Sequence, residues 1–216
     1  MQTPFKMNEL KKKDIAYNTI KENLLKGFYK ETESLSEGYL VKTLNMSRTP
    51  IREALQKIQN ENLIEISPNR GISIHVLTLK EINDLINLRT AIECYSLDLI
   101  FEKISNKEIK EMKNNLNEQI KTHKQRDTLN FTNLDIDFHE SFLQLTKNTL
   151  FIENMKNIRE RTLLHANNIF DQYPERVSLS IDEHFHIIEK IEEKKKDEAI
   201  KLLKEHLLNG KERMIY

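Results

Sequence analysis

The chain has 216 residues and a mass of 25.7 kDa, room for one ordinary domain and a smaller second one, so a large multidomain assembly is excluded. Hydrophobic residues make up 38%, charged residues 31%, mean hydropathy is −0.62, and Gly and Pro number 4 each, a composition that points to a mainly α chain and away from a turn-rich all-β fold. Lys and Arg total 34 against 34 Asp and Glu, which argues against strong non-specific binding to nucleic acid by the chain as a whole, although residues 1–76 carry 12 basic side chains against 9 acidic ones.

In chain order, Ile15, Ala16, Ile20, Leu24 and Leu25 fall at helical spacing and Gly27 stands where a C-terminal cap belongs, which predicts a first helix over Lys13–Lys26. A short second helix starts at the N-cap Ser36 and runs to Leu44. After the turn Asn45-Met46-Ser47, Ser47 is expected to cap a third helix with Pro50 in its first turn and Ile51, Ala54, Leu55 and Ile58 on its buried face. The period then changes to alternation: Leu63–Ile66, the turn Pro68-Asn69-Arg70-Gly71, and Ile72–Val76 predict a β-hairpin. Three helices followed by a hairpin describe a winged helix-turn-helix over residues 1–77.

From the cap Thr78 onward the pattern is helical almost throughout. Helices are expected over 79–103, 106–125, 128–146, 149–171, 178–193 and 196–213, broken at Ser105-Asn106, Arg126-Asp127, Lys147-Asn148 and Tyr173-Pro174. About six helices imply an antiparallel all-α bundle over residues 78–216. The single cysteine, Cys94, excludes an intramolecular disulfide and reads as a small buried apolar residue. No apolar run approaches the roughly 18 residues of a membrane helix and the start lacks a secretion signal, so a cytoplasmic protein without a membrane partner is expected.

In a helix-turn-helix the first turn of the second helix enters the major groove, which places Arg48 and Arg52, four apart on one face, where arginine grips guanine or phosphate. Thr49 and the Ser47 backbone amide are phosphate partners, and Arg70 at the hairpin tip, beside Gly71, is suited to the adjacent minor groove or backbone. The order Ser-Arg-Thr-Pro-Ile-Arg-Glu-Ala-Leu at 47–55, with Asn62-Leu63-Ile64 and Asn69-Arg70-Gly71, strongly resembles the DNA-binding head of the GntR family of bacterial transcription regulators. That resemblance implies operator binding as a two-fold dimer, with Arg48, Arg52 and the wing Gly71 at the DNA. Gly38 departs from the family, in which an arginine that commonly contacts DNA stands at this position; Tyr39 or Lys42 then compensates, or the operator differs.

Asp135 and His139 lie i, i+4 on one helix, presenting a carboxylate and an imidazole on one face. His184 and His206 sit on two later helices expected to be antiparallel neighbours. One Asp and three His suit a divalent ion, Zn²⁺ first and Ni²⁺ or Mn²⁺ as alternatives, and leave one or two positions open for water or a ligand carboxylate. The pattern Asp135-Ile136-Asp137-Phe138-His139, Glu183-His184 and His206-Leu207, led by Arg89-x-x-x-Glu93, resembles the FCD effector-binding domain of FadR-type GntR proteins. In its metal-binding branch the positions matching Asp135, His139, His184 and His206 hold a divalent ion inside the bundle.

Arg89, then Arg159 or Arg161, would supply a charge-assisted grip on an effector carboxylate. His75, His123, His165 and His186 fit no metal pattern, and Asp137 is out of register with His139. The reading is a DNA-binding regulator, a homodimeric repressor of an operator, controlled by a small carboxylate-type effector. A metal-independent regulator of the same fold is the alternative, and a metal-dependent hydrolase is a weaker one because no general base accompanies the four ligands.

Overall fold

The computed structural model describes the backbone of residues 4–29, 35–67, 71–172 and 175–215, with side chains described between residues 12 and 210 except at 167–169 and 171–172 and at the breaks. The expected turn Pro68-Asn69-Arg70 and the break Tyr173-Pro174 lie outside the described residues. The chain divides into two compact units, Met1–Val76 and Leu77–Tyr216.

The first unit contains α1 (Pro4–Leu25), α2 (Glu37–Leu44), α3 (Arg48–Asn60), β1 (Ile64–Ser67) and β2 (Gly71–Ile74). Its core forms where the helical and alternating periods converge: Ala16, Ile20 and Leu24 on α1 and Ile51, Ala54, Leu55 and Ile58 on α3 are buried, with Leu40, Leu63 and Ile72. Ile15, on the same helical run, is instead 53% exposed. α1 begins nine residues before the expected Lys13, with Pro4 in its first position, where a missing N–H costs nothing. Gly27 closes it as expected: its φ is +71° and its N–H donates to the Leu24 carbonyl at 3.0 Å.

β1 and β2 pair antiparallel, Ile64 opposite Ile74 and Ser67 opposite Gly71. The Ile72 N–H also donates to the Leu35 carbonyl at 2.8 Å, so the segment before α2 adds a bridge to the hairpin that the sequence did not announce.

The second unit contains α4 (Leu79–Ile100), a 3₁₀ turn (Phe101–Lys103), α5 (Asn106–Gln125), α6 (Thr128–Thr146), α7 (Thr149–Gln172), α8 (Glu175–Glu192) and α9 (Lys196–Ile215). Caps set the starts. Thr78 and Ser105 each form a capping box, with Glu81 and Glu108 respectively, and the Asp127 carboxylate accepts from the Asn130 amide. α6 packs against α4, α5 and α7, α8 against α5 and α9, and α9 returns to α4. α4, α5 and α7 thus cover α6, on which Phe131, Phe138 and Phe142 are fully buried. No helix among the described residues is long and apolar enough to cross a membrane.

Candidate functional site

α6 turns inward through Phe131, Asp135, Phe138, His139 and Phe142, spaced so that all five share one face, and all are buried. That stripe is apolar except for one carboxylate and one imidazole. α8 brings His184 and α9 brings His206 to the same point, both buried, and the ligating atoms of Asp135, His139, His184 and His206 all lie within 4.8 Å of one another. His206 Nε2 is 3.0 Å from His139 Nε2 and 3.2 Å from His184 Nε2. Asp135 Oδ1 lies 3.7 Å from His184 Nε2 and accepts the Ser180 hydroxyl at 3.1 Å.

The second nitrogen of each ring faces an acceptor. His139 Nδ1 meets Glu93 Oε2 at 2.7 Å, His206 Nδ1 meets Glu183 Oε2 at 2.7 Å, and His184 Nδ1 meets Gln119 Oε1 at 3.0 Å. The Gln119 amide is oriented by its own donation to Asn115 Oδ1 at 2.7 Å, which leaves its oxygen for His184. Carboxylates and amide oxygens only accept, so each Nδ1 carries a proton, and a ring in its neutral form points an Nε2 lone pair at the common centre. Two nitrogen lone pairs 3.0 Å apart repel unless a proton or a cation lies between them.

Charge leads to the same conclusion. Asp135 and Glu93 bring two buried carboxylates to these rings and the partly exposed Glu183 a third, beside the Arg89 guanidinium, so the local charge favours a cation. Burial lowers the His206 pKa below its ordinary 6.5, an effect that Glu183 only partly offsets, so the ring is in its neutral, ligating form near neutral pH. Burial would raise the Glu93 carboxyl, but Arg89 and His139 outweigh it and hold the group at about 2. The donor set fits a borderline divalent ion.

A cavity of about 40 Å³ opens beside the cluster, bounded by Asp135, His139, His206, Arg89, Thr162 and Ser180, with Ile86 and Leu207 among its apolar walls. Arg89 is buried, and its Nε donates to Glu93 Oε1 at 2.8 Å. No other described residue accepts from this guanidinium. Arg159 lies at the edge of a neighbouring cavity, paired with Glu140 at 2.6 Å and Asp137 at 3.1 Å. Arg161 donates to Glu81 at 2.8 Å and lines neither cavity.

Three of the other four histidines are elsewhere. His75 pairs with Glu65, His123 with Ser178, and His186 is 58% exposed beside Glu189. Cys94 is half-buried rather than buried, and burial pushes its thiol up to about 11. Sequence reasoning assigned no role to Gln119, Glu93, Ser180 or Thr162. Only the i, i+4 spacing of Arg89 and Glu93 hinted that these two form a pair.

In the first unit, Ser47, Arg48, Thr49 and Arg52 are exposed at the amino end of α3. Ser47 holds the N-cap position but makes no capping hydrogen bond, contrary to expectation. Pro50 occupies the third helical position and has no N–H for the hydroxyl to accept from. Arg52 Nε lies 2.9 and 3.0 Å from the two Glu37 carboxylate oxygens, a link from α3 to α2. Gly71 opens β2 with φ +79°, while Arg70 lies outside the described residues.

Residues 84–209 match the FCD domain family, and residues 12–74 match the family described as bacterial regulatory proteins, gntR family. The HTH-type transcriptional regulator YdhC of Bacillus subtilis is 27% identical over 89% of this chain and 84% of its own length. The gluconate operon transcriptional repressor of Bacillus licheniformis is 26% identical over 85% of this chain and 77% of its own. Among solved structures, a GntR transcriptional regulator from Rhodococcus sp. RHA1 superposes with a TM-score of 0.80 at 18% identity, covering 94% of this chain and 97% of that one.

Proposed function

This chain belongs to the GntR family of bacterial regulatory proteins and carries an FCD domain, so it is a DNA-binding transcriptional regulator, and from that premise we propose that it is a homodimeric repressor released from its operator by a small carboxylate held beside a divalent ion. The observation that carries the reading is the convergence of three imidazoles and one carboxylate on a common point, beside a cavity lined by His139, His206, Asp135 and the buried guanidinium of Arg89. Asp135, His139, His184 and His206 would hold the ion, with Zn²⁺ the first candidate. When bound, it supplies a positive centre that attracts an anionic ligand. Arg89, which lines the same cavity, would supply the second grip, and a carboxylate there displaces no protein partner from its Nη atoms. Arg159 and Arg161 are already ion-paired and would join only by exchanging those partners.

In residues 1–77, Arg48 and Arg52 would read base edges in the major groove, Ser47 and Thr49 would hold phosphates, and the wing at Arg70 and Gly71 would follow the neighbouring groove. The Ser47 hydroxyl is not spent on its own helix, which suits it to a phosphate. Residues 78–216 would be the receptor. Dimerisation is supported by an outward stripe on α4: Leu88, Tyr95 and Leu99, 45, 53 and 43% exposed, lie with partly buried Ile92 at a spacing that makes one seam. The repressor sense follows the gluconate operon relative.

Native mass spectrometry of the protein purified without a histidine tag tests these parts together. The expected spectrum is a dimer with one divalent ion per chain that is lost in His184→Ala. An ion-free dimer would replace this reading by a metal-independent regulator, and unchanged metal content in His184→Ala would overturn the ligand set.

A further inference from the structure

The three imidazoles have unequal outer partners. Gln119 and Glu183 hold His184 and His206, and the amides of Asn115 and Asn209 are among the groups that touch them in turn. Glu93 alone is tied both to a ligating ring and to the cavity arginine. Its Oε2 accepts from His139 Nδ1 at 2.7 Å and its Oε1 from Arg89 Nε at 2.8 Å, and the side chain is fully buried, so bulk water cannot replace either partner. One carboxylate therefore sets the ring that faces the ion and the fork that faces the ligand, from helix α4, which contributes no ion ligand itself.

We propose that Glu93 is a positioning residue through which the ion and a carboxylate ligand bind cooperatively. The physical reason is the sharing of one negative charge. In the ligand-free site the Arg89 cation draws on the Glu93 charge and weakens its pull on the His139 proton. When a carboxylate settles on the Arg89 Nη atoms, it takes over part of that cation, and Glu93 leans more fully on His139, making Nε2 a better donor to the ion. By linkage the ion raises carboxylate affinity by the same factor. The inference rests on the ion site proposed above and adds a route between its two halves.

The probes are Zn²⁺, titrated against a competing chelator, and acetate as the simplest carboxylate. In the wild type, acetate is expected to tighten Zn²⁺ binding. Glu93→Gln keeps the shape, but its amide cannot accept from both Arg89 and His139; Zn²⁺ affinity should fall roughly 10- to 100-fold and the acetate effect should shrink severalfold. Glu183→Gln is the control: it should lower Zn²⁺ affinity by removing the His206 partner while leaving the acetate effect at its wild-type size. Arg89→Gln should retain Zn²⁺ and lose the acetate effect, and it keeps the test alive if Glu93→Gln fails to fold by circular dichroism. An acetate effect of equal size in wild type and in Glu93→Gln or Arg89→Gln would overturn the proposal, as would no acetate effect on a wild type that binds Zn²⁺. A wild type that binds no Zn²⁺ would instead overturn the ion site on which the proposal stands.

Discussion

An arginine at the amino end of a helix reads DNA only if its guanidinium is presented as a fork, and presentation depends on what holds it. Arg48 is exposed, whereas Arg52 is tied through Nε to Glu37, which leaves the two Nη atoms at the far end of a restrained side chain. Such a restraint reduces the rotamer entropy lost on contact and suits a bidentate guanine contact. Arg48→Ala and Arg52→Ala should each weaken binding to an operator selected from random DNA by about 1–3 kcal/mol, measured by fluorescence anisotropy, with a smaller loss on non-selected DNA. Equal losses on both DNAs would assign the side chains to phosphate alone.

At the scale of the element, α2 shows what a local departure does. Gly38 lies inside this eight-residue helix, and a Cβ there would meet only the Ser36 hydroxyl, at 3.9 Å. Neither backbone conformation nor packing therefore demands glycine, and its cost is the extra freedom of the unfolded chain. Gly38→Ala should raise stability by about 1 kcal/mol in chemical denaturation of the full chain. No gain would mean that the position is constrained by something other than helix propensity.

The caps tell a related story: Asn45, Arg126, Lys147 and Lys194 all carry positive φ near helix ends, so a chain poor in glycine closes its helices with residues that pay a steric penalty there. Periodicity and capping chemistry locate such boundaries well. They say nothing of α1 before Lys13, where no apolar stripe marks the helix, so periodicity alone starts this helix nine residues late.

For the molecule as a whole, a buried cluster of three imidazoles and a carboxylate within 4.8 Å of one another would be stabilised by a cation among them. An ion bound to the native state alone adds about 2.7 kcal/mol when its free concentration is 100 times Kd, which corresponds to a rise in Tm of roughly 10 °C. Differential scanning calorimetry with Zn²⁺ and with chelator should show that gap; coincident melting would contradict an internal ion site.

The pH dependence has a defined sign. His206 has a pKa below its ordinary 6.5 in the fold, so its contribution is complete above about 6.5 and is lost as pH falls through the depressed value, when the unfolded chain takes up the proton first. Glu93, at about 2 in the fold against 4.5 unfolded, loses its contribution only below about 4.5. The chelated protein should therefore begin to lose stability near pH 6.5, well before carboxylates titrate, and protons should also displace the ion.

The helices, the hairpin and their order were readable because periodicity, caps and turn residues act over a few positions. The Asp135 and His139 pair was readable for the same reason: four residues make one helical turn. The chain has seven histidines, and only packing decides that three of them share a centre, because His139 and His206 stand 67 positions apart and meet through the contacts of α6, α8 and α9. Of the partners of their Nδ1 atoms, Glu93 showed locally only in its i, i+4 spacing from Arg89, which says nothing of His139 46 positions away, and Gln119, 65 positions from His184, left no local trace. Sequence by itself determined which side chains were available and on which helix each would lie; the tertiary structure alone decided which of them face one another, since burial and hydrogen bonding across a bundle depend on how helices pack rather than on any spacing along one of them.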